Sequence, residues 1–167
     1  VLAIGAGAVD PVESDEVWVV TTGYLTPSTL SLATVTGPDT EPRPVEQLKT
    51  APAFFDTEGL VAEQRFTTSR DGTRVPYFLV GSAAQLHPEP GAEPAPTLLY
   101  GYGGFQISLT PGYSGAVGRA WLARGGVYVV ANIRGGGEYG PGWHQAALKE
   151  HRHRAYEDFA AVADALV

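Results

Sequence analysis

Leu98-Leu99-Tyr100-Gly101-Tyr102-Gly103-Gly104-Phe105 is the stretch on which the fold turns. Three apolar residues run directly into a glycine-rich turn that carries two aromatic rings. That pattern predicts a short buried strand ending in a tight loop. Glycine lets the backbone turn sharply and lets another group come close. Tyr102 and Phe105 are then held at the mouth of whatever lies beyond the strand. Two roles stay open for these rings: core packing, or function on a loop presented by a rigid scaffold.

Downstream, residues 114–124 place Val117, Ala120, Trp121 and Arg124 at helical spacing, and Gly125-Gly126 ends that helix. Residues 127–133 form a continuous apolar run, typical of a strand buried on both faces. Arg134-Gly135-Gly136-Gly137-Glu138-Tyr139-Gly140 is a second glycine-rich loop. A short helix is expected over residues 143–149. Tyr156, Phe159, Ala160, Ala163, Leu166 and Val167 then form one apolar helical face.

Upstream, residues 62–68 and 73–80 flank Ser69-Arg70-Asp71-Gly72, and Asp-Gly is a strong hairpin signal. Pro76 cannot donate to a ladder, so its strand is expected to have an open side or a bulge. Residues 87–96 read as a surface loop. The order hairpin, strand, helix, strand, helix describes an α/β sheet being wound. Before it, residues 17–22 and 28–35 read as an antiparallel strand pair, with Leu30 and Leu32 on one face. Residues 1–9 are a further strand with its turn, or a frayed start. Residues 37–44, with Pro38, Pro42 and Pro44, read as an exposed connection. A domain boundary is expected between Glu46 and Ala53, giving domains over residues 1–50 and 51–167.

Composition removes several classes of function. The net charge of −7 and the pI near 5.0 oppose a nucleic-acid surface. Without cysteine there is neither a disulfide framework nor a thiolate metal site. No apolar run approaches the roughly 18 residues of a membrane span, and residues 1–9 lack the basic start of a signal peptide. The chain has no methionine and stops inside an amphipathic run, so both ends are expected to lie within a longer protein.

Three motifs invite a stronger reading than their context allows. Gly135, Gly137 and Gly140 fit G-x-G-x-x-G after a strand. Pro141-Gly142, however, stands where a dinucleotide loop opens into its helix, and no ribose-binding acid follows. A rigid loop at a strand's carboxyl end is the reading adopted. Gly112-Tyr113-Ser114-Gly115-Ala116 is one residue short of G-x-S-x-G. A nucleophile elbow needs a strand before it, whereas Thr110-Pro111 precedes, so Ser114 reads as a helix N-cap. His144, Glu150, His151 and His153 show no metal-ligand spacing and sit beside Arg152 and Arg154. They read as a solvated linker, with no metal and no cofactor.

Taken together, residues 98–105, Ile107-Ser108-Leu109-Thr110-Pro111, Ala131-Asn132-Ile133 with Arg134 to Gly140, Trp143-His144 and the Ser69-to-Thr73 hairpin resemble the prolyl oligopeptidase family of serine peptidases. The resemblance runs from about Val17 to Val167, and Gly103-Gly104-Phe105 is nearer to prolyl endopeptidases than to oligopeptidase B. It implies an α/β fold: a truncated α/β-hydrolase domain preceded by the last strands of a β-propeller. It implies that Tyr102 supplies a phenolic hydroxyl to an oxyanion hole and that Phe105 lines the pocket for a substrate proline. The family's catalytic Ser, Asp and His would lie beyond Val167, so this piece alone is expected to be inactive. The whole protein would hydrolyse short proline-containing peptides through an acyl-enzyme, as a monomer, without nucleic acid, membrane or cofactor. The cytoplasm is the expected location, with periplasm or secretion open. Two alternatives remain: a non-catalytic binding module or pseudoenzyme, and another α/β-hydrolase such as an esterase. The strand pair before Ala53 counts against the esterase.

Overall fold

The computed structural model describes residues 1–38, 41 and 43–167. The chain divides into two compact units: Val1–Asp56 with Pro111–Gly115, and Thr57–Thr110 with Ala116–Val167.

The first unit is a four-stranded antiparallel meander of β1 (Ala3–Ala8), β2 (Glu16–Thr22), β3 (Thr29–Thr34) and β4 (Glu46–Thr50), paired in that order. Strand β2 follows the period of two: Val17, Val19 and Thr21 are half-buried while Trp18 and Val20 stay exposed. Leu32 lies opposite Trp18 and Leu30 opposite Val20. Part of the stretch expected to be linker is strand β4. Its five residues are all exposed and held by pairing to β3 across an irregularity at Leu30/Ser31. Glu46-Gln47-Leu48-Lys49-Thr50 shows no apolar alternation, so only the pairing reveals it. The expected connection at residues 37–44 contains Asp39, Thr40 and Pro42, which lie outside the described residues.

The segment Pro111–Gly115 completes this unit. The Tyr113 N–H donates to Thr22 Oγ1 at 3.3 Å, and Tyr113 Oη accepts the Phe54 N–H at 2.7 Å. The Tyr113 ring stacks on Phe55 with centroids 5.2 Å apart.

The second unit is built on a sheet of β5 (Leu60–Thr68), β6 (Arg74–Ser82), β7 (Thr97–Gly101) and β8 (Val127–Ala131), in the order β5-β6-β8-β7. Strands β5, β6 and β8 pair antiparallel, and β7 runs parallel to β8. The hairpin closes as Asp-Gly predicts: the Gly72 N–H donates to Ser69 O, and Asp71 Oδ1 accepts the Thr73 N–H. Strand β6 lies between β5 and β8 and carries no bulge; the open side expected at Pro76 is present, because the β8 ladder ends at Tyr77. Pro76 is tolerated because its carbonyl points towards Asn132, one residue past the Tyr77–Ala131 end of the β8 ladder, where no donor is required. Strand β7 is not the buried strand expected from its apolar run. It is the outer strand of this sheet, so Leu99 packs on the core while Leu98 and Tyr100 are exposed.

A short helix α1 (Ala83–Leu86) opens with a capping box between Ser82 and Gln85 and drives Leu86 into the core. Between β7 and β8 the expected single helix is broken. Helix α2 (Gly115–Ala120) gives way at Trp121 to a 3-10 turn, Leu122–Arg124, ended by left-handed Gly125. The break follows from Trp121, whose Nε1–H turns back to donate to Val127 O at 2.8 Å. Helix α3 is shorter than expected (Pro141–Gln145); a 3-10 turn (Lys149–His151) then leads into α4 (His153–Asp164). Val75, Val129, Ala131, Ala155 and Val162 form the dry centre of the core. Burying a valine side chain there contributes about 1.5–3 kcal/mol, which is what holds α4 on the sheet.

Candidate functional site

Strands β7 and β8 are parallel, so both glycine-rich loops leave the sheet at the same end. In the first, the chain reverses at Phe105 and Gln106, both left-handed at φ 51° and 57°. Such a conformation costs a non-glycine residue about 1–2 kcal/mol, so something must hold it. Part of the hold is local: the Ile107 N–H donates to Gly104 O at 3.0 Å. The rest comes from the second loop. Gly135 O accepts the Gln106 N–H at 3.2 Å, and the Gly137 N–H donates to Ile107 O at 3.2 Å. His144 Nδ1 lies 2.7 Å from Gly135 O. The same Nδ1 lies 3.1 Å from the Gln106 N–H, so His144 sits against both sides of this contact. Arg152 Nη1 closes the other side by donating to Gly103 O.

The glycines are required by this interlock. At Gly135 (φ 98°) a Cβ would collide with the Gly103 carbonyl, and at Gly137 with the Gln106 carbonyl. The donors are consumed as well: the N–H groups of Gly135, Gly136, Gly137 and Gly140 go to Trp143, Ile133, Ile107 and Gly137 carbonyls. A loop that spends its amides internally cannot cradle a phosphate, which supports the rigid-loop reading over a dinucleotide site.

The interlock presents Tyr102 and Phe105 together. Their ring centroids are 6.5 Å apart and their planes 24° from parallel. Tyr102 is 41% exposed and Phe105 83% exposed, so neither is a core aromatic in this unit. They flank a concavity of about 650 Å³ that His144, Leu148 and Arg152 also line.

Sequence reasoning missed the groups that anchor the second loop. Arg134, only 3% exposed, stands three residues after the end of β8. Its backbone N–H and its Nε each donate to Asp158 Oδ2 at 2.9 Å, and Nη2 donates to Asp158 Oδ1 at 2.6 Å. Asp158 on α4 is fully buried. On the other side Nη1 reaches Asp71 Oδ2 at 2.5 Å and Nη2 reaches Asp71 Oδ1 at 3.2 Å. One guanidinium thus ties the loop to a helix and to the β5–β6 hairpin. The hydrogen bonds from Arg134 hold the Asp71 carboxyl well below the usual carboxylate range, and those to Asp158, then Asp71, raise Arg134 above its ordinary value. Further along, Glu138 Oε1 accepts the Leu109 N–H at 3.0 Å and Asn132 Nδ2–H at 3.2 Å, fastening the far end of the first loop. An arginine soon after a buried strand was the available signal: a charge there needs partners.

The remaining sequence candidates fall elsewhere. Ser114 directly precedes α2, and the strand before it ends thirteen residues earlier at Gly101, so it is not on a strand-to-helix elbow. The residues around His151 are not simply a solvated linker: Arg152 holds Gly103 O, and Arg154 Nη1 donates to Ala146 O at 3.2 Å.

A mixed sheet whose parallel strands end in two interlocked glycine loops, one presenting an exposed tyrosine, fits part of an α/β-hydrolase domain. Comparison narrows the class. The model of the prolyl oligopeptidase family matches residues 114–167. The uncharacterized peptidase y4nA of Sinorhizobium fredii is 50% identical over 93% of this chain, and the prolyl endopeptidase of Elizabethkingia meningoseptica is 41% identical over 87%. The structure of a post-proline cleaving enzyme from Rickettsia typhi superposes on 99% of this chain with a TM-score of 0.79 and 35% identity, using 22% of its own length. Over most of its length the chain is similar to proteins of the prolyl oligopeptidase family. It spans about a fifth of the curated relatives it matches, 20% and 19% of these two. The antiparallel meander is the propeller part and the mixed sheet the hydrolase part.

Proposed function

We propose that the whole protein is a serine-type peptidase that cleaves short peptides on the carboxyl side of proline, with Tyr102 donating to the oxyanion and Phe105 lining the proline pocket. The observation that carries this reading is the paired, exposed presentation of Tyr102 and Phe105 on a turn fixed by the second loop. The nucleophile comes from a part of the protein outside this chain. Its serine oxygen adds to the carbonyl carbon of proline, and the carbonyl oxygen takes up the electron pair as an oxyanion. The amine then leaves with a proton, and water releases the acyl-enzyme. A donor fixed where that charge develops stabilises the transition state more than the ground state.

Replacing Tyr102 with Phe in the full-length protein removes one hydroxyl and keeps the ring. The expected result is a kcat reduced about ten- to a thousandfold, the range of a lost oxyanion donor, with KM much less affected. Phe105→Ala is expected to do the reverse and raise KM for proline substrates. A Tyr102→Phe enzyme whose kcat stays within about twofold of the parent would make Tyr102 a packing residue and sink the assignment.

A further inference from the structure

We propose that Arg134 is a positioning residue for Tyr102, acting through the carbonyl of Gly135. The inference rests on the oxyanion role assigned to Tyr102 and adds what holds that side chain in place. Within the turn at residues 102–106 the left-handed conformation is held by the bond from Ile107 to Gly104 and the Tyr102–Phe105 ring contact. The other restraints come from the second loop and from α4, and Arg134 governs both. Its own N–H and Nε share Asp158 Oδ2, so the backbone at the start of the loop and the first turns of α4 are set by one carboxylate. One residue on, Gly135 O accepts the Gln106 N–H, and His144 Nδ1 lies 2.7 Å from the same oxygen. From the residue just before the same helix, Arg152 donates to Gly103 O, next to Tyr102. A shift of Arg134 therefore moves the Gly135 carbonyl and the Arg152 donor together, and the turn that carries the tyrosine hydroxyl rests on both.

Arg134 also has the chemistry for this task. Its planar fork satisfies two carboxylates on different elements at once, Asp158 on α4 and Asp71 on the hairpin. A lysine would keep the charge but could not span both with fixed geometry. Asp71 is the outer and more accessible partner, its side chain 36% exposed, so it can be altered without opening the core.

The test is a double-mutant cycle in the full-length protein, read with a blocked dipeptide ending in proline and carrying a fluorogenic amide. Arg134→Lys and Asp71→Asn are each made alone and together with Tyr102→Phe. A displacement of about 1 Å in a catalytic group can cost up to a hundredfold, so each variant is expected to lower kcat by several-fold to a hundredfold. In the Tyr102→Phe background the same change is expected to alter kcat by less than about twofold, because the hydroxyl it positions is gone. The rise in KM caused by movement of Phe105 on the same turn persists in both backgrounds. Equal kcat losses in both backgrounds would overturn the positioning role and leave a structural one, while the oxyanion assignment stands. Unchanged kcat in both variants would overturn it as well. A silent Tyr102→Phe would bring down the oxyanion assignment and the positioning role with it. Should Arg134→Lys not fold, Asp71→Asn completes the same cycle.

Discussion

Asp158→Ala is the sharpest structural test of how the second loop is held. The carboxylate is fully buried and accepts three hydrogen bonds, at 2.9, 2.9 and 2.6 Å, all from Arg134. Truncation leaves Arg134 with a buried backbone N–H and Nε that lack acceptors, and with Asp71 as its remaining carboxylate. Water cannot take over easily, since the Arg134 side chain is only 4% exposed. Removing one partner of a buried pair costs about 3–5 kcal/mol, most of it the desolvated charge left behind. At about 1.4 kcal/mol per tenfold, that is a hundred- to few-thousandfold rise in the population of the opened loop. Amide hydrogen exchange on the full-length protein reads this directly. The amides of Gly135, Gly137, Gln106 and Leu109 are expected to exchange faster by that factor, whereas those of Val17 and Val19 in the meander serve as the unaffected reference. Acceleration below about tenfold would refute the claim that this carboxylate carries the loop.

Gly135→Ala puts a methyl group against the Gly103 carbonyl at a φ of 98°. It is expected to destabilise the unit by more than about 1–3 kcal/mol and to loosen the Tyr102 turn, visible as lost protection at Gln106. Asp71 has a depressed pKa in the folded state, so its ion pair contributes fully above its unfolded value near 4, as for an ordinary Asp. That contribution fades as pH falls below it. The urea midpoint difference between the parent and Asp71→Asn should accordingly shrink steadily from about pH 4 downward, and a difference constant down to acid pH would contradict the pairing. Tyr113→Phe removes the acceptor of the exposed Phe54 N–H, which water can replace, and is expected to cost the meander unit no more than about 0.5–1 kcal/mol in a urea titration, with the stacked ring on Phe55 retained.

What the sequence disclosed followed the range over which its signals act. Asp71-Gly72 marked its hairpin because a turn is a property of adjacent residues. The run from Val127 to Ala131 marked an interior strand because burial on both faces removes every polar residue. The Tyr102 turn was visible through its glycines. Arg134, by contrast, finds its partners at positions 71 and 158, and no local pattern joins those three residues. Strand β4 was missed because Glu46-Gln47-Leu48-Lys49-Thr50 owes its conformation to β3 and carries no apolar period of its own. The exposed face of β7 was missed because the run Leu98-Leu99-Tyr100 reads the same at an edge as in the interior. Trp121 broke an otherwise regular helical pattern through one side-chain bond to Val127 O, which spacing cannot foresee.

The seating of Pro111–Gly115 in the first unit has a consequence for how the chain is made. A ribosome adds about 5–20 residues each second, so the segment follows Asp56 by roughly three to ten seconds. Throughout that interval the Thr22 hydroxyl, the Phe54 amide and the Phe55 ring wait for Tyr113. The meander cannot finish on its own schedule: it closes only after the β5–β6 hairpin and strand β7 have emerged. A nascent chain stalled short of Tyr113 would offer the Phe55 face to chaperones, and one released past it would not. The order of synthesis thus makes the first unit wait for its own last segment until residues 57–110 have been made.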